Sequence, residues 1–140
     1  MIHISDLFNQ DIFQQLLKLW EITGVSNPQR GDDYEVIEKT LQQQGKIISV
    51  WNCELLIGAC WLTSDCRRLY LHHMAVLPGY QNQGIGHKLM KESVAYASRL
   101  KLQLKLEVNE NNPAAIHLYQ KFGFNFIEHY QPMIRRKIGE

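Results

Sequence analysis

The sequence predicts an α/β (α+β) domain built on a mixed, mostly antiparallel sheet flanked by helices. Three observations lead there. Apolar residues switch repeatedly between a helical period and strand-like alternation, giving the order β-α-α-β-β-β-α-β-α-β-β. Three consecutive strands in the middle are joined by tight turns, which makes them antiparallel neighbours. A long helix then lies between two strands, which makes that pair parallel through a right-handed crossover. A chain of 140 residues without repeats or linkers supports one core, so a single domain over 1–140 is expected.

The elements follow in order. Ile2 to Ile4 can form a short first strand. From Asp11, Ile12, Leu16 and Trp20 recur every four residues with Phe13 and Leu17 beside them, the mark of an amphipathic helix. Gly24 and the cluster Ser26-Asn27-Pro28 end it. A second helix over 32–44 turns Tyr34, Ile37 and Leu41 inward and closes at Gly45. Residues 46–51 and 55–63 flank Asn52-Cys53-Glu54 as a hairpin, and Ser64-Asp65 turns the chain into a third strand over 68–76. Pro78-Gly79 stops that strand. A Gly-rich loop then enters a long helix with Ile85, Leu89, Met90, Val94, Ala97 and Leu100 on one face. Residues 102–108 alternate as a strand. Asn112-Pro113 opens another helix as N-cap and first-turn proline, and Gly123 closes it. Residues 124–129 and 133–138 read as two final strands.

Composition excludes several classes of function. Charged residues make up 21% and balance to a net charge of +1, so nothing favours a nucleic-acid partner. The longest apolar run, 55–62, is too short to span a bilayer, so no membrane partner is expected. The first six residues lack the basic start and apolar stretch of a signal peptide. Cys53, Cys60 and Cys66 are odd in number and form no CxxC pair, which favours a reducing cytoplasmic setting over a disulfide framework or zinc site. His3, His87, His117 and His129 show no metal-ligand spacing and read as surface or cap residues; no metal is expected.

Two segments carry chemistry. Gln81-Asn82-Gln83-Gly84-Ile85-Gly86 stands between a strand and a helix, where glycines admit close backbone approach and free helix-start amides can bind phosphate oxygens. His87-Lys88 follows rather than Gly-Lys-Ser/Thr, so it is not a P-loop, and the glycine spacing is not the dinucleotide fingerprint. The second segment runs from Asn112 to Phe124, a capped amphipathic helix in which Tyr119 either packs on the core or presents its hydroxyl.

Together these segments resemble the GNAT superfamily of acyl-CoA N-acyltransferases. Its phosphate loop reads Gln/Arg-x-x-Gly-x-Gly/Ala, matched by Gln81, Gly84 and Gly86. Its later segment reads Asn-x-x-Ala-x-x-x-Tyr-x-x-x-Gly-Phe, matched by Asn112, Ala115, Tyr119, Gly123 and Phe124. Met74-Ala75-Val76-Leu77-Pro78 looks like the strand end that precedes the loop in that family. The resemblance covers residues 46–126 well and the N-terminal helices loosely.

The resemblance implies acetyl-CoA as co-substrate and an amine acceptor, a small molecule or a protein. It implies a splayed parallel strand pair, here 68–76 and 102–108, with the pantetheine arm of coenzyme A between them. Main-chain groups of the stretch Met74, Ala75 and Val76 would hold that arm. The amides of Asn82, Gln83, Gly84, Ile85, Gly86 and His87 would hold the pyrophosphate, and the Asn112 side chain would touch the cofactor. Tyr119 would return a proton to the leaving thiolate, whose ordinary pKa is about 8.5 against about 10 for a tyrosine.

A lysine-type amine is neutral roughly one time in a few thousand at pH 7 and an α-amine roughly one time in ten, so the base matters most for the first. Glu107 stands where the similar ribosomal-protein alanine N-acetyltransferases have a glutamate proton acceptor. His72 stands where arylalkylamine N-acetyltransferases have a catalytic histidine, with an ordinary pKa near 6.5. A water chain is the third choice. Strand alternation sends His73 to the opposite face from His72, barring a bulge. Asp32, Asp33 and Tyr34 can attract a cationic acceptor or simply solvate a helix N-terminus. A sensor that binds coenzyme A without turnover is the alternative to an enzyme. A monomer and a homodimer are both open.

Overall fold

Three of the four described helices start at a side chain that accepts a first-turn N–H. A computed structural model of the protein describes residues 1–25 and 31–139. β1 (Ile2–Ser5) leads to α1 (Gln10–Thr23), whose N-cap Asn9 accepts the Ile12 N–H at 2.9 Å and whose C-cap Gly24 has φ +73°. The Ser26-Asn27-Pro28 stop signal lies outside the described residues. α2 (Tyr34–Leu41) is shorter than the 32–44 expected. Asp33 is spent as its N-cap, accepting the Val36 N–H at 2.9 Å, and Gly45 closes back on Thr40 O at 2.7 Å.

β2 (Lys46–Asn52), β3 (Leu55–Ser64) and β4 (Arg68–Val76) follow as the antiparallel meander, then α3 (Ile85–Leu100), β5 (Gln103–Leu106) and α4 (Pro113–Lys121). The sheet order is β1-β2-β3-β4-β5, antiparallel throughout except for the parallel pair β4–β5. Among the described residues no helix is long and apolar enough to cross a membrane.

The two faces of the sheet carry two cores. α1 and α2 pack Leu16, Trp20 and Ile37 over Ile47, Ala59 and Trp61. α3 and α4 pack Ile85, Leu89, Met90 and Tyr119 over Ile48, Ile57, Cys60 and Leu62. Gly58 is needed on that second face: a Cβ there would stand 2.6 Å from Ile85 Cγ2.

The final strands expected over 124–129 and 133–138 do not form; described residues 124–139 contain no strand, and 125–139 are exposed throughout. The segment does not pair with the open edge of β5, and an extended segment without a partner has no secondary structure of its own.

Candidate active site

The site begins where β5 stops. Arg68, Leu69, Tyr70 and Leu71 pair with Gln103, Leu104, Lys105 and Leu106, and β4 runs on to Val76 with no β5 partner. The strands therefore part as the resemblance implied. Leu77 donates its N–H to Ile57 O at 2.8 Å, and Gly58 lies opposite Val76. Amides of an antiparallel ladder alternate in direction, so the N–H and C=O of Val76 face away from β3, toward the gap. The Val76 carbonyl accepts Gln81 Nε2 at 3.3 Å, leaving the N–H as a donor directed into the gap.

A bulge disturbs the same half of β4. Ala59 pairs with Ala75 but Trp61 pairs with His72, so Cys60 alone opposes both His73 and Met74. His73 takes φ +52°, a left-handed conformation rarely adopted by a non-glycine residue. The alternation expected for the two histidines is thereby broken. Both rings lie 5.6 Å from the Trp61 ring, on the face of α1 and α2. His73 Nε2 meets Asp32 Oδ2 at 2.7 Å and packs edge-on against Trp20. Sequence reasoning missed this tie, because a positive φ in mid-strand leaves no local signal.

His72 is half-buried, with Nε2 at 2.8 Å from Thr63 Oγ1. Burial pushes its pKa below the usual histidine value; the neighbouring His73 adds to this, while Asp32 and Glu107 oppose it. His72 is therefore neutral at pH 7. Glu107 sits exposed just past the end of β5, close enough for its charge to act on His72.

Tyr119 comes from α4 on the other face, packed with Cys60 in a cluster flanked by Met74, Val76, Leu104 and Leu106. Burial, with a smaller contribution from the Cys60 thiol, pushes its phenol up to about 12, so it holds its proton throughout the neutral range. Its hydroxyl makes no hydrogen bond among the described residues. Burial also pushes the Cys60 thiol up to about 12, against the Ser93 hydroxyl 3.4 Å away.

The loop after β4 ends in a bare helix start. Gly84 is the N-cap of α3 with φ +80°, no side chain caps the helix, and no acidic residue lies in its first turn. A Cβ at Gly84 would meet nothing within 4 Å, so the space before these amides is open. Gln83 Nε2 braces the loop on Gly79 O at 3.1 Å, and Asn82 takes φ +63°. Ile85 is buried and offers only its backbone, while Gly86 lets the turn approach Leu118. Asn112 accepts the Ala115 N–H at 3.2 Å as the N-cap of α4, which leaves its amide NH2 free to donate. This set of donors, with positive helix dipole, fits a pyrophosphate. On the α1 side a cavity of about 600 Å³ is lined by Phe13, Leu17, Trp20, Glu21, Gly31, Asp32 and Asp33.

Comparisons with known proteins agree with this geometry. The sequence model of the Acetyltransferase (GNAT) family matches residues 13–124. A spermine/spermidine N(1)-acetyltransferase of Bacillus subtilis (strain 168) is 36% identical over 61 residues, 42% of this chain and 40% of that relative's length. A probable acetyltransferase from meticillin-resistant Staphylococcus aureus shares the fold with a TM-score of 0.77 at 22% identity, covering 99% of this chain and 100% of that one. The ribosomal-protein-S18-alanine N-acetyltransferase of Escherichia coli does so with a TM-score of 0.69 at 23% identity, covering 89% and 78%.

Proposed function

Because the chain belongs to the acetyltransferase (GNAT) family, we propose that it transfers acetyl from acetyl-CoA to a primary amine of a small molecule or protein by direct attack. The observation that carries this reading is the gap between β4 and β5, with the Val76 N–H turned toward it and the bare start of α3 beside it. Acetyl-CoA supplies a thioester carbonyl that an amine can attack. The α3 amides and the freely donating Asn112 would hold its phosphates. The Val76 N–H, with Met74 beside it, would donate to the acyl oxygen as negative charge develops there.

Protons balance within the site. The C–N bond forms and the C–S bond breaks; the amine gives one proton to a base and the thiolate receives one from Tyr119. A phenol raised to about 12 is a weaker acid than free tyrosine. The same burial raises the proton affinity of a thiolate expelled beside it, so the two shifts offset one another. His72, neutral at pH 7, or Glu107, exposed at the end of β5, would take the amine proton, directly or through water. The relative from Bacillus is a polyamine acetyltransferase, which supports a cationic small-molecule acceptor. The fold shared with the alanine N-acetyltransferase keeps a protein N-terminus on the panel.

The test is release of coenzyme A thiol from acetyl-CoA across polyamines, amino acids, aminoglycosides, arylalkylamines and peptides with free N-termini. We expect turnover with one acceptor class and a fall of about 10²–10⁴ in kcat for Tyr119→Phe with acetyl-CoA binding retained. Full activity in that variant removes the acid role. Silence across the panel with acetyl-CoA bound shifts the reading toward a sensor that binds coenzyme A without turnover.

A further inference from the structure

β4 carries a strain that its own ladder does not explain. His73 holds φ +52° in mid-strand, a region that a non-glycine residue avoids. The sheet has a second bulge, where Val50 pairs with Gly58 but Trp51 with Leu56, and no residue there takes a positive φ. Beyond Leu71 the bulge of β4 has no β5 partner on its other side. What grips it is the His73 side chain. A carboxylate accepts, so His73 donates its Nε2–H to Asp32 Oδ2 at 2.7 Å, with the two side chains 12% and 15% exposed. Trp20 packs edge-on against that ring at 4.9 Å between centroids, and Trp61 lies at 5.6 Å. Asp32 is itself fixed. It is the centre of a tight turn in which the Asp33 N–H meets Gly31 O at 2.9 Å, and Asp33 then caps α2. The start of α2 is thereby tied to β4 across 41 residues of chain.

The bulge decides which amides reach the gap. Before it, Leu71 pairs with Leu62 and His72 with Trp61; beyond it, Ala75 pairs with Ala59 and Val76 with Gly58. One inserted residue reverses the alternation of a strand. Carried on from His72 without the bulge, the alternation would turn the Val76 N–H toward β3 and send the Leu77 N–H outward. We propose that Asp32 is a positioning residue of the candidate site: through His73 its carboxylate holds the bulge that turns the Val76 N–H into the gap. Its effect on rate rests on the reading of that gap as the acyl site; its effect on the ladder does not. Asp32 also lines the cavity on the α1 side, so one residue joins that cavity to the geometry of the gap.

Asp32→Ala removes the grip, and Asp32→Asn keeps an acceptor. His73→Gly added to Asp32→Ala removes the strain that needs gripping, because glycine takes a positive φ freely. Amide hydrogen exchange by NMR reads the ladder without any substrate. In the parent the Val76 N–H should exchange fast, while the Leu77 N–H, bonded to Ile57 O, is protected. In Asp32→Ala the protection should move from Leu77 to Val76; in Asp32→Asn and in the double variant it should stay at Leu77. Turnover should follow the same order, read as coenzyme A release from acetyl-CoA with spermine at pH 8. That pH lies above the titration of His72, whose pKa Asp32 also raises. Asp32→Ala should lower kcat at least about 10-fold, toward the roughly 10²–10³ of a lost oxyanion donor, and the double variant should recover most of it. Unchanged Leu77 protection in Asp32→Ala overturns the proposal. So does a kcat that His73→Gly fails to restore, and so does a rise in KM for the amine alone, which would make Asp32 an acceptor contact. A parent silent toward spermine counts against a polyamine acceptor and not against the grip, which the exchange then decides alone.

Discussion

The two halves of β4 make an instructive contrast. In the first half, Leu69 and Leu71 are buried and the strand is paired on both sides, with β3 and with β5. In the second half, β5 is gone, a bulge turns His73 left-handed, and His72, His73, Met74 and Val76 are only half-buried. One strand thus is scaffold in one half and lines the candidate site in the other, and the change happens within one residue, between Leu71 and His72. Pairing satisfies backbone groups and makes a strand inert; leaving it unpaired on one side frees a main-chain donor for chemistry. The cost is borne locally, by the strained His73 and its tie to Asp32, while the paired half holds the geometry rigid.

Substitutions in the two halves and in the elements that serve them should separate in kind. The largest effect is expected at Gly84, where φ +80° favours glycine even though a side chain would have room. Gly84→Val should twist the amides at the start of α3 and weaken acetyl-CoA binding at least about 100-fold, since charge-assisted bonds to phosphate contribute about 1.5–3 kcal/mol each. Calorimetry with acetyl-CoA checks this, and unchanged affinity would remove the loop from the site.

In the paired half, Leu69→Ala should cost about 2–5 kcal/mol of stability. Per folded molecule it should leave kcat near that of the parent. Denaturant unfolding and active-site-normalised rates measure the two separately; a large kcat loss at full stability would dissolve the contrast between the halves.

Smaller but more discriminating is the acidic limb of kcat/KM. If His72 is the base, its lowered pKa puts that limb below pH 6.5, and His72→Ala removes it. If Glu107 is the base, Glu107→Gln removes the limb and His72→Ala only moves it. Glu107 opposes the lowering of His72, so Glu107→Gln alone should push a His72 limb still further down. Rates from pH 4.5 to 8 decide between them.

The smallest effect concerns the α3–α4 core beneath the gap. Cys60 and Tyr119 are both raised to about 12 from ordinary values near 9 and 10. A raised acid keeps its proton when folded and loses it more readily when unfolded. Its contribution is therefore complete below the unfolded pKa and is lost as pH climbs toward 12. Melting temperatures should begin to fall above about pH 9, and Cys60→Ala should delay the onset to about pH 10. An onset that does not move would mean Cys60 stays protected in the unfolded chain.

Much of this was legible in the chain. The Asn112 cap, the Gly84 loop and Tyr119 are encoded by neighbours a few residues apart, so the start of α4 and the family motif could be read directly. The hairpins were legible for the same reason, since turn residues and alternation are short-range signals. The misreadings were those that depended on distant partners. The segment 124–139 alternates like a strand, but a strand needs a ladder and this segment joins none. His73 follows the alternation rule until the register with β3 shifts at Cys60, which only pairing across the sheet can impose.

The sequence by itself therefore determined the element order as far as α4, the start of α4, the phosphate-loop motif and the tyrosine. Each rests on local backbone preference and side-chain periodicity. The tertiary structure alone decided where β5 leaves β4, that both histidines face Trp61, that Asp32 reaches His73, and that burial shifts His72 down and Tyr119 up. Those properties belong to contacts between segments far apart in the chain, where dielectric, register and hydrogen-bond partners are set by what packs alongside rather than by what comes next.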